Sequence, residues 1–270
     1  MQVSPPKELS PYIKHYLFLD NTETAVQKFR LFSDGNTGLV FSVKSKLISG
    51  INKYEIKKYL PASFLYGQLN GFKDLYSENE ITLIVVVFQP NGIHQLLGIP
   101  ANEFHDAIIP VEDVFDEKIK TLQENLFQQN NSIRVQLLNS FFKSLIVAKP
   151  ASNQFIINHS LHFIINSKGH FSIKQLVEYT GYTERHLERK FKECIGLSPK
   201  KFGNVVRLHH FLKLLKDKSD DTNLTTISYD AGFSDQSHLI KEFKKHTGIT
   251  PTEYFYNTGK LTNNLIKRTF

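Results

Sequence analysis

The sequence predicts an α+β chain in two parts, a mainly antiparallel β barrel or sandwich with helices over 1–150 and an all-helical part over 151–270. Three observations predict it. Short apolar runs broken by turn-forming residues fill the chain up to Phe88. Helical periodicity replaces them from Glu117 onward. Beyond Phe155, one pattern of capping, apolar and glycine residues occurs twice. A length of 270 residues leaves room for about two cores, since one core usually serves ~100–200 residues.

In the first part, Tyr12–Leu19, Phe29–Phe32, Leu39–Val43, Tyr59–Phe64 and Ile81–Phe88 read as strands. The turns between them are Asp34-Gly35-Asn36, Ser49-Gly50, Asn70-Gly71 and Pro90-Asn91-Gly92. Ile81–Phe88 is the most apolar run. At eight residues it is far short of the ~20 that cross a bilayer, so it reads as a buried strand and no membrane partner is expected. Helices follow over Glu117–Gln128 and Ser132–Val147. The second carries Ile133, Leu137, Leu138, Phe141, Phe142 and Leu145 near helical spacing. Lys149-Pro150-Ala151-Ser152 marks the boundary, because proline cannot continue a helix. From Phe155 to the end the chain is expected to be helical.

Composition narrows the chemistry. Cys194 is the single cysteine, which excludes a disulfide framework and a multi-cysteine zinc site. The first residues show no basic segment leading into an apolar run, so the reading is a cytoplasmic chain without a signal peptide. Residues 1–150 hold 15 basic and 15 acidic side chains, whereas residues 151–270 hold 18 and 11. The whole excess of +7 therefore lies in the second part, as expected when one half meets a polyanion.

The first copy of the repeated pattern is Ser172-Ile173-Lys174-Gln175-Leu176-Val177, Gly181-Tyr182-Thr183, Leu187, Phe191-Lys192, Gly196 and Ser198-Pro199. The second is Asn223-Leu224, Ile227-Ser228, Gly232-Phe233-Ser234, Leu239, Phe243-Lys244, Gly248 and Thr250-Pro251. Their offset is 51 residues up to the glycine-aromatic pair and 52 after it, so the second copy has one extra residue. Ser172 and Gln175 form a capping box for a short helix, and Gly181 supplies the turn that ends it. Thr183 caps a second helix whose buried stripe is Leu187 and Phe191, and Gly196 ends that one. Two short helices joined in this way are a helix-turn-helix, whose second helix can enter a major groove.

Opposite that stripe lie Arg185, His186, Glu188 and Arg189, side chains long enough to reach base edges. The second copy presents Gln236, Ser237, His238 and Lys241. Thr183, His186, Lys190, Lys192, Lys201, Ser234, Lys244 and Lys245 flank these faces as candidate phosphate contacts. Between the copies, Ser198 caps and Pro199 starts a helix expected to reach Asp217. Its roughly 19 residues span ~28 Å, close to the ~34 Å between successive major-groove faces. Gly203 inside it is a weak point unless a neighbour packs closely there.

The run Gly232-Phe233-Ser234-Asp235-Gln236-Ser237-His238-Leu239, then Phe243-Lys244 and Gly248-Ile249-Thr250-Pro251, closely resembles the signature of AraC/XylS-type transcription regulators. Ser198-Pro199 and Arg207-Leu208 fit that family's connecting helix, and the resemblance covers about 155–256. Val177 and Ser228 depart from its usual alanine, but both are small. The resemblance implies two helix-turn-helix subdomains on a long helix. Arg185, Glu188 and Arg189 match base-contacting positions of the first, and Gln236, Ser237, His238 and Lys241 those of the second. Pro11-Tyr12-Ile13, Asp34-Gly35, Leu39-Val40-Phe41, Phe88–Ile93 and Leu97–Pro100 are similar to the sensor region of one branch. The implied partners are double-stranded DNA, RNA polymerase, a small-molecule effector and a second copy of the chain through Ser132–Val147, with activation of transcription as the outcome.

Two other readings remain beside this one. A metal-dependent, enzyme-like N-terminal domain fused to a DNA-binding module would need clustered ligands. Residues 1–150 offer only His15, His94 and His105 at unrelated spacings, so no metal, cofactor or catalytic residue is assigned. His159 and His162 lie three apart near His170 and read as ordinary helix residues. His209-His210 is expected to touch phosphate or solvent. No phosphate-binding glycine loop and no nucleophile elbow is present. An architectural, weakly specific DNA binder would carry a heavier basic surface and apolar wedges.

Overall fold

The computed structural model describes residues 1–51, 57–115, 117–146, 152–217, 223–257 and 261–268. The strands begin with β1 (Gln2–Val3), β2 (Ile13–Asn21), β3 (Gln27–Phe32), β4 (Gly38–Ser42), β5 (Ile48–Ile51) and β6 (Lys57–Tyr59). They continue with β7 (Ser63–Tyr66), β8 (Phe72–Ser77), β9 (Ile81–Phe88), β10 (Ile108–Pro110) and, far along the chain, β11 (Leu265–Arg268). The first helices are α1 (Gly92–Leu97), α2 (Lys118–Gln128), α3 (Asn131–Ser144) and α4 (Ser152–Asn166). Then come α5 (Ile173–Thr180), α6 (Glu184–Ile195), α7 (Pro199–Lys216), α8 (Leu224–Asp230), α9 (Gln236–Thr247) and α10 (Pro251–Tyr256).

Among the described residues the strands form two antiparallel sheets, ordered β1-β2-β9-β4-β7-β10 and β11-β3-β8-β5-β6. The sheets are separate, so the architecture is a sandwich and not a closed barrel. Along β9 the side chains alternate between two cores. Ile84, Val86 and Phe88 join Tyr16, Leu39 and Phe142 on the helical side. Leu83, Val85 and Val87 join Phe29, Phe64 and Leu75 between the sheets. The first sheet is therefore the middle layer, and burial of both faces is why Ile81–Phe88 shows no polar alternation. Helices α2 and α3 cover its outer face through Ile119, Leu122, Leu138, Phe141 and Phe142.

Three expectations are corrected. The single strand expected over Tyr59–Phe64 is divided between β6 and β7, which lie in different sheets, because Pro61 between them has no N–H to give a ladder. Gly92, expected in a turn, starts α1. The all-helical tail is also overturned. Strand β11 crosses back to pair with β3, Leu265 facing Leu31 and Arg268 facing Lys28. The predicted helix end at Val147 and the boundary residues 149–151 lie outside the described residues.

Beyond α4 two smaller cores follow. Leu176, Leu187 and Phe191 pack with Ile157, Ile164 and Phe202 in one. Ile227, Leu239 and Phe243 pack with Leu208, Phe211 and Leu215 in the other. Helix α7 supplies both and so forms the spine between them. Gly203 lies on it where a Cβ would come 2.5 Å from the Phe171 ring, which explains the glycine the sequence left open.

Candidate nucleic-acid interface

Each half of the interface is fixed by short-range chemistry. In the first, the Ser172–Gln175 capping box starts α5, and Gly181 at φ 74° turns the chain in a conformation costly for other residues. Thr183 then caps α6 by accepting from the His186 amide. In the second, Asn223 caps α8 and Asp235 caps α9, accepting from the His238 amide at 2.7 Å. That hydrogen bond holds the exposed Asp235 carboxyl below the usual range, with Ser234 assisting. Asp235 is also the extra residue of the second copy. It shifts the cap by one position and leaves α6 and α9 at 12 residues each.

With that offset Arg185 and Arg189 correspond to Ser237 and Lys241, and His186 to His238. Arg185, Arg189, Ser237, His238 and Lys241 are exposed, while Glu188 and Gln236 are half-buried. Arg189 reaches Glu193 only at 4.0 Å, and its side chain is 62% exposed. Ser237, Lys241, Lys244 and Lys245 line one shallow groove with Ile240. Lys192 is exposed, as are Thr183 and Ser234. Lys201 and Lys245 both line a cleft that also includes Asn70. Several candidates have other partners: Gln236 accepts from Thr225 at 2.9 Å, Ser234 donates to Asp235 at 3.1 Å, and Lys245 lies 3.9 Å from Glu242. His186 stacks on Tyr182 with ring centroids 5.3 Å apart. Lys190 is 8% exposed and donates to both Glu193 oxygens, at 3.1 and 3.0 Å, so it stands apart from the exposed cations of the set.

The N-terminal part meets this unit at the ends of both reading helices, through the short helical turn at Ala101 and through strands β3 and β8. A Cβ on Gly196, just past α6, would come 2.9 Å from the Ala101 carbonyl oxygen. Past α9, the Gly248 carbonyl accepts from Arg30 Nη1 at 3.0 Å. Arg30 also grips Asp74 through Nε and Nη2, at 2.6 and 2.7 Å, and lies 4.0 Å above the Phe72 ring. Burial would raise the Asp74 pKa, but Arg30 and Lys28 outweigh it and hold the carboxyl low. A side chain at Gly248 would strike both Phe72 and Arg30.

Residues 176–257 match the family described as helix-turn-helix domain, and residues 1–110 match a domain of unknown function, DUF6597. An uncharacterised HTH-type transcriptional regulator of Staphylococcus aureus (strain MSSA476) is 33% identical over 171 residues, 53% of this chain and 23% of the relative. The lactose operon transcription activator of Staphylococcus xylosus is 28% identical over 158 residues, 58% of this chain and 50% of that one. The chain thus spans between about a quarter and half of the length of these relatives. Residues 176–257 thus match a helix-turn-helix domain. A solved AraC-type regulator from Chromobacterium violaceum is similar to it at 25% identity, over 41% of this chain and all of that one, with a TM-score of 0.36. Unsaturated fatty acid-bound ToxT from Vibrio cholerae is similar at 14% identity, over 89% of this chain and 95% of that one, with a TM-score of 0.49.

The sequence reading placed Arg207 on the connecting helix but did not foresee what its side chain does in the helix-turn-helix domain. Arg207 on α7 donates to the Gly232 carbonyl at 3.2 Å and to Asn204 at 2.7 Å, bracing the second turn against the spine. His209, expected at phosphate or solvent, is corrected. Its Nε2 lies 3.0 Å from the Ser33 carbonyl, inside the contact between α7 and the sheets. His94, Glu193 and Cys194 bring ligand-type atoms within 4.8 Å of one another where α1 meets α6. Both Glu193 oxygens already accept from Lys190, and Cys194 is packed in the first core, its thiol pushed up to about 11 by burial. That juxtaposition is packing and an ion pair.

Between the two sheets lies a cavity of about 610 Å³. Aliphatic side chains such as Leu17, Leu75, Leu83 and Val85 line it together with Phe64, Tyr66 and polar residues that include Gln2 and Asn263. Lys14, Lys216 and Asp34 are the charged side chains that border it. His15 and His209 also line it, and burial lowers the pKa of both, which keeps them neutral near pH 7. No motif in the sequence signals this cavity, because its walls come from strands far apart in the chain.

Proposed function

We propose that the chain is a sequence-specific, DNA-binding transcription regulator that reads two successive major-groove segments. One observation carries the reading: two capped 12-residue helices carry equivalent exposed polar faces on a single 18-residue spine. Arg185, Glu188 and Arg189 contact bases of one segment, and Gln236, Ser237, His238 and Lys241 those of the next. Thr183, His186, Lys192, Lys201, Ser234, Lys244 and Lys245 hold phosphates, and Lys190 joins them only by leaving Glu193. Selection of bound duplexes from a random library by the purified chain tests this. Arg189→Ala should relax one base position of the first segment at a loss of ~1–3 kcal/mol, and Lys241→Ala one of the second. Unchanged sequence preference in both variants contradicts the assignment.

The same reading includes an effector site in the cavity between the sheets, whose lining from residues 1–150 is completed by His209, Lys216 and residues 261–265. A largely apolar wall with two lysines against one aspartate at its border suits an apolar molecule bearing one anionic group. Activation through RNA polymerase and pairing of two chains through α3, where Ile133 is exposed, complete the proposal.

A further inference from the structure

The tail strand touches both the cavity and the second reading unit. Leu261 and Leu265 line the cavity, together with Thr262, Asn263 and Asn264. Successive side chains of a strand point to opposite faces, and the next residue, Ile266, is fully buried in the core of the second helix-turn-helix beside Phe243 and Tyr254. The segment is fastened at several points. Asn264 exchanges two hydrogen bonds with Phe32, at 3.0 and 3.1 Å, and Tyr254 of α10 donates to the Asn263 carbonyl at 2.9 Å. Lys267 pairs with Glu23, and Asn257 donates to the Lys267 carbonyl at 3.0 Å. Strand β3, which receives β11, is also the strand whose Arg30 holds Gly248 at the end of α9.

We propose that residues 261–268 are a strap through which the occupant of the cavity fixes the placement of the second reading helix. The proposal rests on the effector reading above and adds its route of control. A ligand shifts a conformational equilibrium only by its differential contacts. Here part of the cavity wall is the strap, so an occupant gains that part of its contacts only while β11 is docked on β3. Docked β11 keeps Ile266 in the second core, and that core positions α9. The coupling is reciprocal, so loosening the strap weakens ligand binding, and an occupied cavity slows opening of the second unit.

The test uses the full chain with 1-anilinonaphthalene-8-sulfonate as probe, an apolar anion of the stated class. Hydrogen exchange is followed with and without it. Bound probe should slow exchange at 265–268 and 236–247 and leave 184–195 unaffected. Ile266→Ser should weaken probe binding about five- to tenfold and abolish protection of 236–247. If that variant does not fold, judged by exchange at 184–195, Asn264→Ala decides, with an expected weakening of about two- to fivefold. Probe binding with full affinity in the folded strap variant, or without protection of 265–268, overturns the strap. Probe that fails to bind the native chain, or whose binding survives filling of the cavity by Val85→Phe, overturns the effector reading instead.

Discussion

His209 lies where α7 meets the N-terminal sheets, and burial governs its chemistry. Desolvation holds its imidazole below the ordinary histidine value, and Asp34 and the Ser33 carbonyl oppose this only in part. The unfolded chain therefore binds a proton at this position more readily than the folded one. Its contribution to stability is complete above the ordinary value of ~6.5 and declines as the pH falls from there toward the folded value. The melting temperature should drop between about pH 7.5 and about pH 5, and His209→Gln, which keeps a donor for Ser33, should make the drop shallower. His15, His105, His210 and His246 are shifted in the same direction, so the slope will not vanish. Parallel calorimetric profiles for the two proteins would remove His209 from this role. Lys244 is exposed in the groove of the second reading helix, and its effect is of another kind. Lys244→Ala should weaken every duplex alike and reduce the slope of log affinity against log salt by about 1. A loss confined to one sequence would make it a base contact.

At the scale of the element, Gly203 sets two requirements of α7 against each other. Alanine favours a helix interior by ~1 kcal/mol over glycine, but its Cβ would meet Phe171 at 2.5 Å. Phe171 is itself set edge-on against Phe163, with centroids 6.0 Å apart, and has little room to yield. Overpacking costs ~1–3 kcal/mol, so after the helix gain Gly203→Ala should destabilise the chain by up to about 2 kcal/mol in denaturant titrations. Adding Phe171→Leu should return most of it, and a stabilised single variant would show that the ring moves aside freely. The helical elements were legible because their signals are local. Ser172, Thr183, Ser198 and Thr250 each cap the helix that follows, and Gly181, Gly196 and Gly248 each end one. The reading faces followed for the same reason, since charge opposite an apolar stripe can be seen within one helix. Strand pairing is not local. Nothing near Leu265 says that its partner is Leu31, and β8, whose outer end exposes Phe72, looks like loop until Arg30 is laid over it. The cavity combines both difficulties, since Lys14, Val85, Lys216 and Leu265 meet only in the finished fold.

The whole molecule constrains more than its helix-turn-helix units would if they hung freely from α7. One reading helix ends against Ala101 and the other against Arg30 and Phe72, so the N-terminal part spans them and α7 is not their sole connection. His209 on Ser33, and Phe202 against Gly35, fix the spine to the same body. Such a frame should hold α6 and α9 at one relative rotation, whereas a duplex changes rotation with every base pair. Inserting one base pair between the two segments turns the second by about 34–36°. The framed protein can follow only by bending DNA or by breaking a contact, each of which costs free energy. The native chain should therefore lose about tenfold or more in affinity on the lengthened site, comparable to a base mismatch. Arg30→Ala removes the hold on Gly248 while leaving every proposed base contact in place. That variant should bind the original site less well than native protein but show a penalty for the insertion of only about threefold, provided that its melting still shows a folded sandwich. The comparison is a ratio of ratios, so a general loss of affinity cancels. Equal penalties in the two proteins would mean that α7 alone sets the spacing and that the sandwich does not restrain the reading helices.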